Sequence, residues 1–236
     1  MRIFAWGRTG PLLAALLLVG ALFLGNEAPA QSGSAQSERE LIFKEAFRFY
    51  QAKAKKGDPK AQFYMGLLYE QGPSGAPDFE TAARWYRLAA DQGYREAQYK
   101  LALAYADGRG VPQDWSEAAR LYHAAAEQEL GEAQYNLAVL YDQGLGVKQD
   151  VKLAIEWYRR AAVRGILPAF RALGSLYAKG ETVPLDRGEA FFWLTLGAAS
   201  GDTGAAELRD LLGETLTREE RASALKLLEE WGQGSN

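Results

Sequence analysis

Four aspartates, one every 36 residues, are the first residues in the chain that could do chemistry: Asp78, Asp114, Asp150 and Asp186. Carboxylates in a row could bind a metal ion or act as an acid–base pair. Equivalent positions on stacked helices lie about 10 Å apart, whereas the ligands of one ion lie about 2.0–2.6 Å from it. The row therefore predicts four helix N-caps and no metal site.

Two further candidates have simpler explanations. His123, the only histidine, could be a general base, but no serine or cysteine lies at an interpretable spacing, and we predict an exposed helix residue. The glycine pairs Gly108/Gly110 and Gly144/Gly146 resemble phosphate loops, but they follow helical patterns and lack a third glycine and a Lys-Ser/Thr pair. We interpret them as turns.

The composition narrows the class of protein. The absence of cysteine excludes disulfides, thiol catalysis and cysteine metal sites. A net charge of −3 argues against nucleic acid as the main partner, and acidic neighbours offset the arginines of the "WYR" segments. We therefore predict a protein that is not an enzyme and has no cofactor.

Two repeated phrases reveal the elements that carry these residues. One is "AARWYRLAADQG", which starts at Ala82 and returns as "AIEWYRRAAVRG" at Ala154. The other begins at Ala61, Ala97, Ala133 and Ala169, with tyrosine at its ninth and glycine at its twelfth position. Apolar residues three and four apart predict helices, and the terminal glycines predict helix ends. Each unit is thus a first helix, a turn and a second helix.

A single unit cannot bury both of its faces, so neighbouring units must stack. The sequence predicts an all-α fold, a right-handed α/α solenoid of helix-turn-helix repeats with a 36-residue period. Three departures stand out: the turn "GPSGAPD" (72–78), Glu129 in place of a terminal glycine, and a shifted apolar register after Ala205. The predicted segments are an N-terminal half repeat (41–60), four repeats (61–96, 97–132, 133–168, 169–204) and C-terminal capping helices (205–236).

The repeats resemble the Sel-one-like repeats, relatives of the tetratricopeptide repeats. "LALAYADGRGVPQDWSEAARLYHAAA" and "LAVLYDQGLGVKQDVKLAIEWYRRAA" carry nearly all of that family's pattern, and the resemblance covers about Leu41 to Gly201. It implies a scaffold or regulator that binds a protein or peptide partner. The alternative is a cell-wall or β-lactam-related hydrolase, but the relatives linked to such chemistry are rich in cysteine.

The resemblance also implies a binding surface, since tetratricopeptide relatives bind peptides on a concave wall built from first helices. The matching positions, which we predict as partner-binding residues, are Phe63, Leu67, Tyr99, Leu103, Tyr135, Val139 and Arg171. Glu96 and Glu132 add negative charge beside the aromatic residues, which favours a partner segment with apolar and basic residues. Alternatively, the aromatic side chains pack against the adjacent first helix.

The first thirty residues have the pattern of a targeting segment. Arg2 and Arg8 precede an apolar run, Leu12 to Gly25. Ala28-Pro29-Ala30 then has the small-x-small pattern of a cleavage site. This order is typical of a secretory signal peptide, and we predict a signal peptide over 1–30, cleavage after Ala30, and a periplasmic or secreted protein with a flexible linker over 31–40. The alternative is an uncleaved membrane anchor that presents the repeats as an adaptor.

Overall fold

The computed structural model describes residues 33–72 and 76–234, and every regular element in these ranges is an α-helix. The helices are α1 (Gly33–Ala54), α2 (Pro59–Gln71), α3 (Phe79–Ala90), α4 (Arg95–Asp107), α5 (Trp115–Glu127), α6 (Gly131–Gln143), α7 (Val151–Val163), α8 (Leu167–Lys179), α9 (Arg187–Ala199), α10 (Thr203–Gly213) and α11 (Arg218–Gly234). The chain divides after Gln92 into two compact units. The N-terminal unit contains α1–α3, and the C-terminal unit contains α4–α11.

Aspartates start the second helices, as predicted. The carboxylate of Asp114 accepts hydrogen bonds from the backbone N–H groups of Ser116 (2.9 Å) and Glu117 (3.0 Å). Asp78, Asp150 and Asp186 each accept one from the residue three positions later, at 2.9, 3.0 and 2.8 Å. Such caps satisfy donors that a helix cannot satisfy itself. Asp58 and Asp202 cap α2 and α10 in the same way.

Within each repeat, small residues let the first and second helices approach closely. Gly66 of α2 lies against the Tyr86 ring of α3, where an added Cβ would be 2.4 Å from a ring carbon. Gly174 of α8 lies against Leu194 of α9 in the same way, at 2.5 Å. Helix pairs of this kind follow one another through both units, and the all-α helical-repeat fold of the solenoid class is confirmed.

The start of the described chain corrects one prediction. We expected a flexible linker over 31–40, but α1 already begins at Gly33. The helix packs through its C-terminal half, where Ala46, Tyr50 and Ala54 are buried. No proline lies between Gly33 and Ala54 to stop its extension toward the N-terminus. Residues 1–32, which include the predicted signal peptide, lie outside the described residues.

The last two helices do not pair like the helices of a repeat. Asp210 of α10 occupies the position that Gly66, Ala102, Ala138 and Gly174 occupy in the four repeats. A carboxylate cannot be buried there without a partner, and Asp210 is exposed. The final helix, α11, packs instead against α9, where Trp231 contacts the rings of Phe192 and Trp193 at centroid distances of 6.0 and 5.7 Å.

In the described ranges, none of the helices offers an apolar stretch long enough to cross a bilayer.

Candidate partner-binding surface

The predicted aromatic residues of the first helices pack against buried tyrosines of the second helices. In the C-terminal unit the ring centroids lie 5.9 Å apart for Tyr99 and Tyr122, and 5.7 Å apart for Tyr135 and Tyr158. In the N-terminal unit, Phe63 lies 5.9 Å from Tyr86. One ring of each pair is therefore fixed inside the repeat, whereas the first-helix ring stays half-buried.

The buried tyrosines remain neutral. Burial raises the pKa of Tyr122 and Tyr158 well above its ordinary value, and the neighbouring carboxylates Asp107 and Asp142 add to the effect. The pKa of Tyr86 rises for the same reason, because it is buried and donates a hydrogen bond to Glu70. These hydroxyl groups keep their protons at any physiological pH, so the support behind the first-helix rings is insensitive to pH.

The adjacent first helices also meet at Tyr99. Its side chain interacts electrostatically with Asn136 and Glu132 of α6. Burial raises the pKa of Tyr99, and the nearby charge of Glu132 raises it further. Packing of this side chain against the adjacent first helix, the alternative to partner contact, stays a prediction. The ring itself packs against Tyr122.

The aliphatic members of the predicted set divide into two groups. Leu103 and Val139 are half-buried beside the aromatic rings. Leu67 is only 7% exposed. The prediction that it binds a partner is therefore wrong, and Leu67 is a core residue. A helical wheel gives the angle of a residue about its own helix, but not whether a neighbouring segment covers it.

Arg171, predicted at the far end of the row, is tied to the next helix. Its guanidinium lies 3.7 Å from Oδ1 of Asp202, and its side chain keeps 45% of its surface exposed. The same carboxylate accepts a hydrogen bond from the backbone N–H of Ala205 at the start of α10. Arg171 therefore has a structural partner. The sequence analysis did not identify Asp202, although it lies 144 positions, or four repeat periods, after the equivalent Asp58.

Four residues of the C-terminal unit form a half-exposed apolar row, which we call the first-helix surface: Tyr99 and Leu103 on α4, Tyr135 and Val139 on α6. Two carboxylates lie on the same face of α6. Glu132 is exposed, and burial raises the pKa of Asp142 despite the attraction of Lys179. Asp142 falls nine positions after Ala133, so its helical angle was readable from the sequence, but its partial burial was not.

The outer face of the second helices has a different character. Its arginines are exposed and engaged in ion pairs: Arg120 with Glu117 (2.6 Å), Arg159 with Glu189 (2.7 Å), Arg160 with Glu127 (4.0 Å) and Arg164 with Glu129. His123 is exposed on this face, with its ring 5.8 Å from that of Trp157. The described residues contain no group of three or more acidic or histidine side chains that could hold a metal ion.

Comparisons with known proteins agree with this architecture. The family model of the Sel1 repeat matches residues 59–94, 95–130, 131–165 and 171–202. A solved structure from uropathogenic Escherichia coli, a protective antigen with an SLR fold, is 38% identical with a TM-score of 0.64. The match covers 67% of this chain but only 34% of that protein.

Two other solved structures are similar. A Sel1 repeat protein from Oxalobacter formigenes is 32% identical over 72% of each chain, with a TM-score of 0.64. An immunity protein from Pseudomonas aeruginosa shares the fold at 20% identity and a TM-score of 0.52, over 87% of this chain and 71% of that one. No curated protein matches the sequence.

Proposed function

The chain belongs to the Sel1 repeat family, and on that premise we propose that it is an exported scaffold that binds a protein partner through its first-helix surface. Sel1 repeats commonly mediate contacts between proteins, and proteins built from them are generally non-enzymatic scaffolds. The partner is a peptide or protein segment, and the first-helix surface is the part of the concave wall that we predicted from the resemblance.

The paired aromatic rings carry this proposal. Tyr99 and Tyr135 are large side chains that remain half-exposed, and each packs against a buried tyrosine behind it. A ring held in one position before binding loses little conformational entropy when a partner covers it. Tyrosine is also among the residue types that most often dominate binding energy at protein interfaces.

The charges around the row favour a particular partner. Glu132 lies beside Tyr99, and Asp142 shares a face of α6 with Tyr135 and Val139. Arg171, the one cation of the predicted set, already faces Asp202, and Lys179 lies near Asp142. A segment with apolar anchors and lysine or arginine side chains therefore complements this surface best.

The proposal can be tested by identifying a partner and then mutating the surface. The partner would be captured from an envelope extract, purified, and its affinity measured by calorimetry. Replacing both Tyr99 and Tyr135 by alanine should weaken binding by at least about 2 kcal/mol, the value that defines a hot spot. Helix content by circular dichroism should be unchanged.

A second variant separates binding from packing. Val139→Lys leaves both aromatic pairs in place and puts a positive charge against the basic partner, so it should also weaken binding. Arg120→Gln on the outer face is the matched control and should bind like the wild type. If the Val139→Lys protein binds normally and the double tyrosine variant only loosens the fold, the first-helix surface is not the partner site.

A further inference from the structure

An open depression of about 650 Å³ lies in the C-terminal unit, and none of the four residues of the first-helix surface lines it. It is lined by Tyr141 at the end of α6, by the turn and first residues of α7, and by Thr182 of the turn between α8 and α9. Its volume is within the range of ligand-binding clefts, about 300–1,000 Å³.

A difference between two turns explains why the depression is there. In the turn between α6 and α7, Gly146 has a φ of +69°, and an added Cβ would lie 2.2 Å from the carbonyl carbon of Trp115. That turn therefore rests directly on the start of α5. The equivalent residue one repeat later is Thr182, whose side chain cannot fit such an approach. The turn between α8 and α9 consequently leaves a gap above the start of α7.

The depression contains two unpaired cations. Lys148 and Lys152 line it, both are exposed, and neither makes an ion pair or hydrogen bond to any described residue. The other repeats have no lysine at either of these positions. Position 148 corresponds to Pro112 and Pro184, and position 152 to Glu80, Ser116 and Gly188. This contrasts with the arginines of the outer face, which are ion-paired within the protein.

The remaining lining groups restrict the ligand. Asp150 accepts a hydrogen bond from the backbone N–H of Leu153 at 3.0 Å, so the start of α7 already has its acceptor. Phosphate sites at helix starts rely on such backbone donors, and one of these donors already bonds to a carboxylate here. The two ammonium groups can act as donors, and Tyr141 and Thr182, which line the same depression, each carry a hydroxyl group that can donate as well.

We propose that this depression is a second partner site, which binds carboxylate side chains of an acidic protein segment. It is separate from the first-helix surface, where the complementary charge is positive. A scaffold with one acidic and one basic contact region can orient a partner that carries both kinds of segment, because the reversed placement juxtaposes like charges.

The test uses the purified full chain, labelled with ¹⁵N, and the peptide acetyl-Glu-Glu-Glu-Glu-amide as a probe. Amide shifts are followed by NMR as the peptide is added. We expect the largest changes at Val147 to Lys152 and at Thr182. Replacing Lys148 and Lys152 by glutamine should lower the affinity about tenfold or more, because charge-assisted hydrogen bonds are lost. Lys55→Gln with Lys56→Gln removes the same charge elsewhere and should change nothing.

Two further arms test the shape and the ligand class. Thr182→Gly keeps every charge but allows the turn to approach α7, so it should lower the affinity several-fold while the thermal unfolding midpoint stays near that of the wild type. Inorganic phosphate at equal concentration should bind more weakly than the peptide. The proposal is overturned if no peptide binding occurs, if the lysine variant binds normally, or if phosphate matches the peptide in affinity and shift pattern. Loss of partner binding at the first-helix surface alone leaves these results unaffected.

Discussion

At the scale of single residues, the backbone at Glu129 is the clearest departure from the repeat. It is the one non-glycine residue with a positive φ, +63°, in the ranges that the structure describes. The corresponding residues Gly57, Gly93, Gly165 and Gly201 have φ values between +79° and +96°. The sequence marked Glu129 as an exception. The structure shows that the chain keeps the left-handed turn there although the residue disfavours it.

We predict that Glu129→Gly stabilises the protein by about 1 kcal/mol, since a residue with a Cβ pays about 1–2 kcal/mol in the left-handed region. The exposed ion pair with Arg164 offsets little of this gain, because such pairs contribute about 0–1 kcal/mol. Gly165→Glu is the mirror-image control. No atom lies within 4 Å of an added Cβ at that site, so the cost is purely conformational. Urea unfolding should show shifts of opposite sign, and shifts of the same sign would contradict the argument.

At the scale of elements, α11 is held by residues that the other repeats do not have. Phe192 is 4% exposed, although the equivalent positions of the earlier second helices hold the exposed residues Arg84, Arg120 and Glu156. An apolar residue at a solvent position of the repeat indicates a covering segment. In the structure that segment is α11, through Trp231.

Phe192→Glu should therefore release α11 without unfolding the repeats. Truncating a buried phenylalanine costs about 3–5 kcal/mol. Hydrogen exchange of the amides in 218–234 should accelerate by at least about 100-fold, because 1.4 kcal/mol corresponds to about a factor of ten. Exchange in α5 to α7 should stay as it was. Glu156→Ala, at the equivalent uncovered position of α7, is the control and should leave α11 protected. Unchanged protection of α11 in the Phe192 variant would contradict this packing.

At the scale of the whole molecule, we propose that residues 1–30 direct the export of the chain. A basic start, a short apolar run and a small-x-small cleavage site predict export and cleavage. Mass spectrometry of the protein recovered from the envelope should show Gln31 at the N-terminus. An Ala28→Lys variant, which replaces a small residue of the predicted cleavage site by a large charged one, should remain uncleaved. Recovery of wild-type protein with an intact Met1 in the membrane fraction would favour the retained anchor.

The helical repeat could be predicted because its signals are local. Asp114 caps α5 through groups two and three residues away, and Gly144 ends α6 through its own left-handed backbone. Interactions between neighbours along the chain depend on residue type and spacing alone. The period then follows from repetition of these signals. The same reasoning placed Tyr99 and Leu103 on one face of α4, and Tyr135 and Val139 on the equivalent face of α6, because a helical angle requires no knowledge of other segments.

The rest depended on distances between segments that are remote in sequence. The sequence placed Leu67 on the same face as Leu103, but the structure buries it. The sequence predicted a linker over 31–40, but α1 begins at Gly33 and runs on to its packed C-terminal half. Thr182 is an ordinary turn residue by composition, and only the contact of Gly146 with Trp115 shows why a side chain there opens a depression. Burial and close approach depend on which other segment occupies the neighbouring space, and that is decided only when the helices pack.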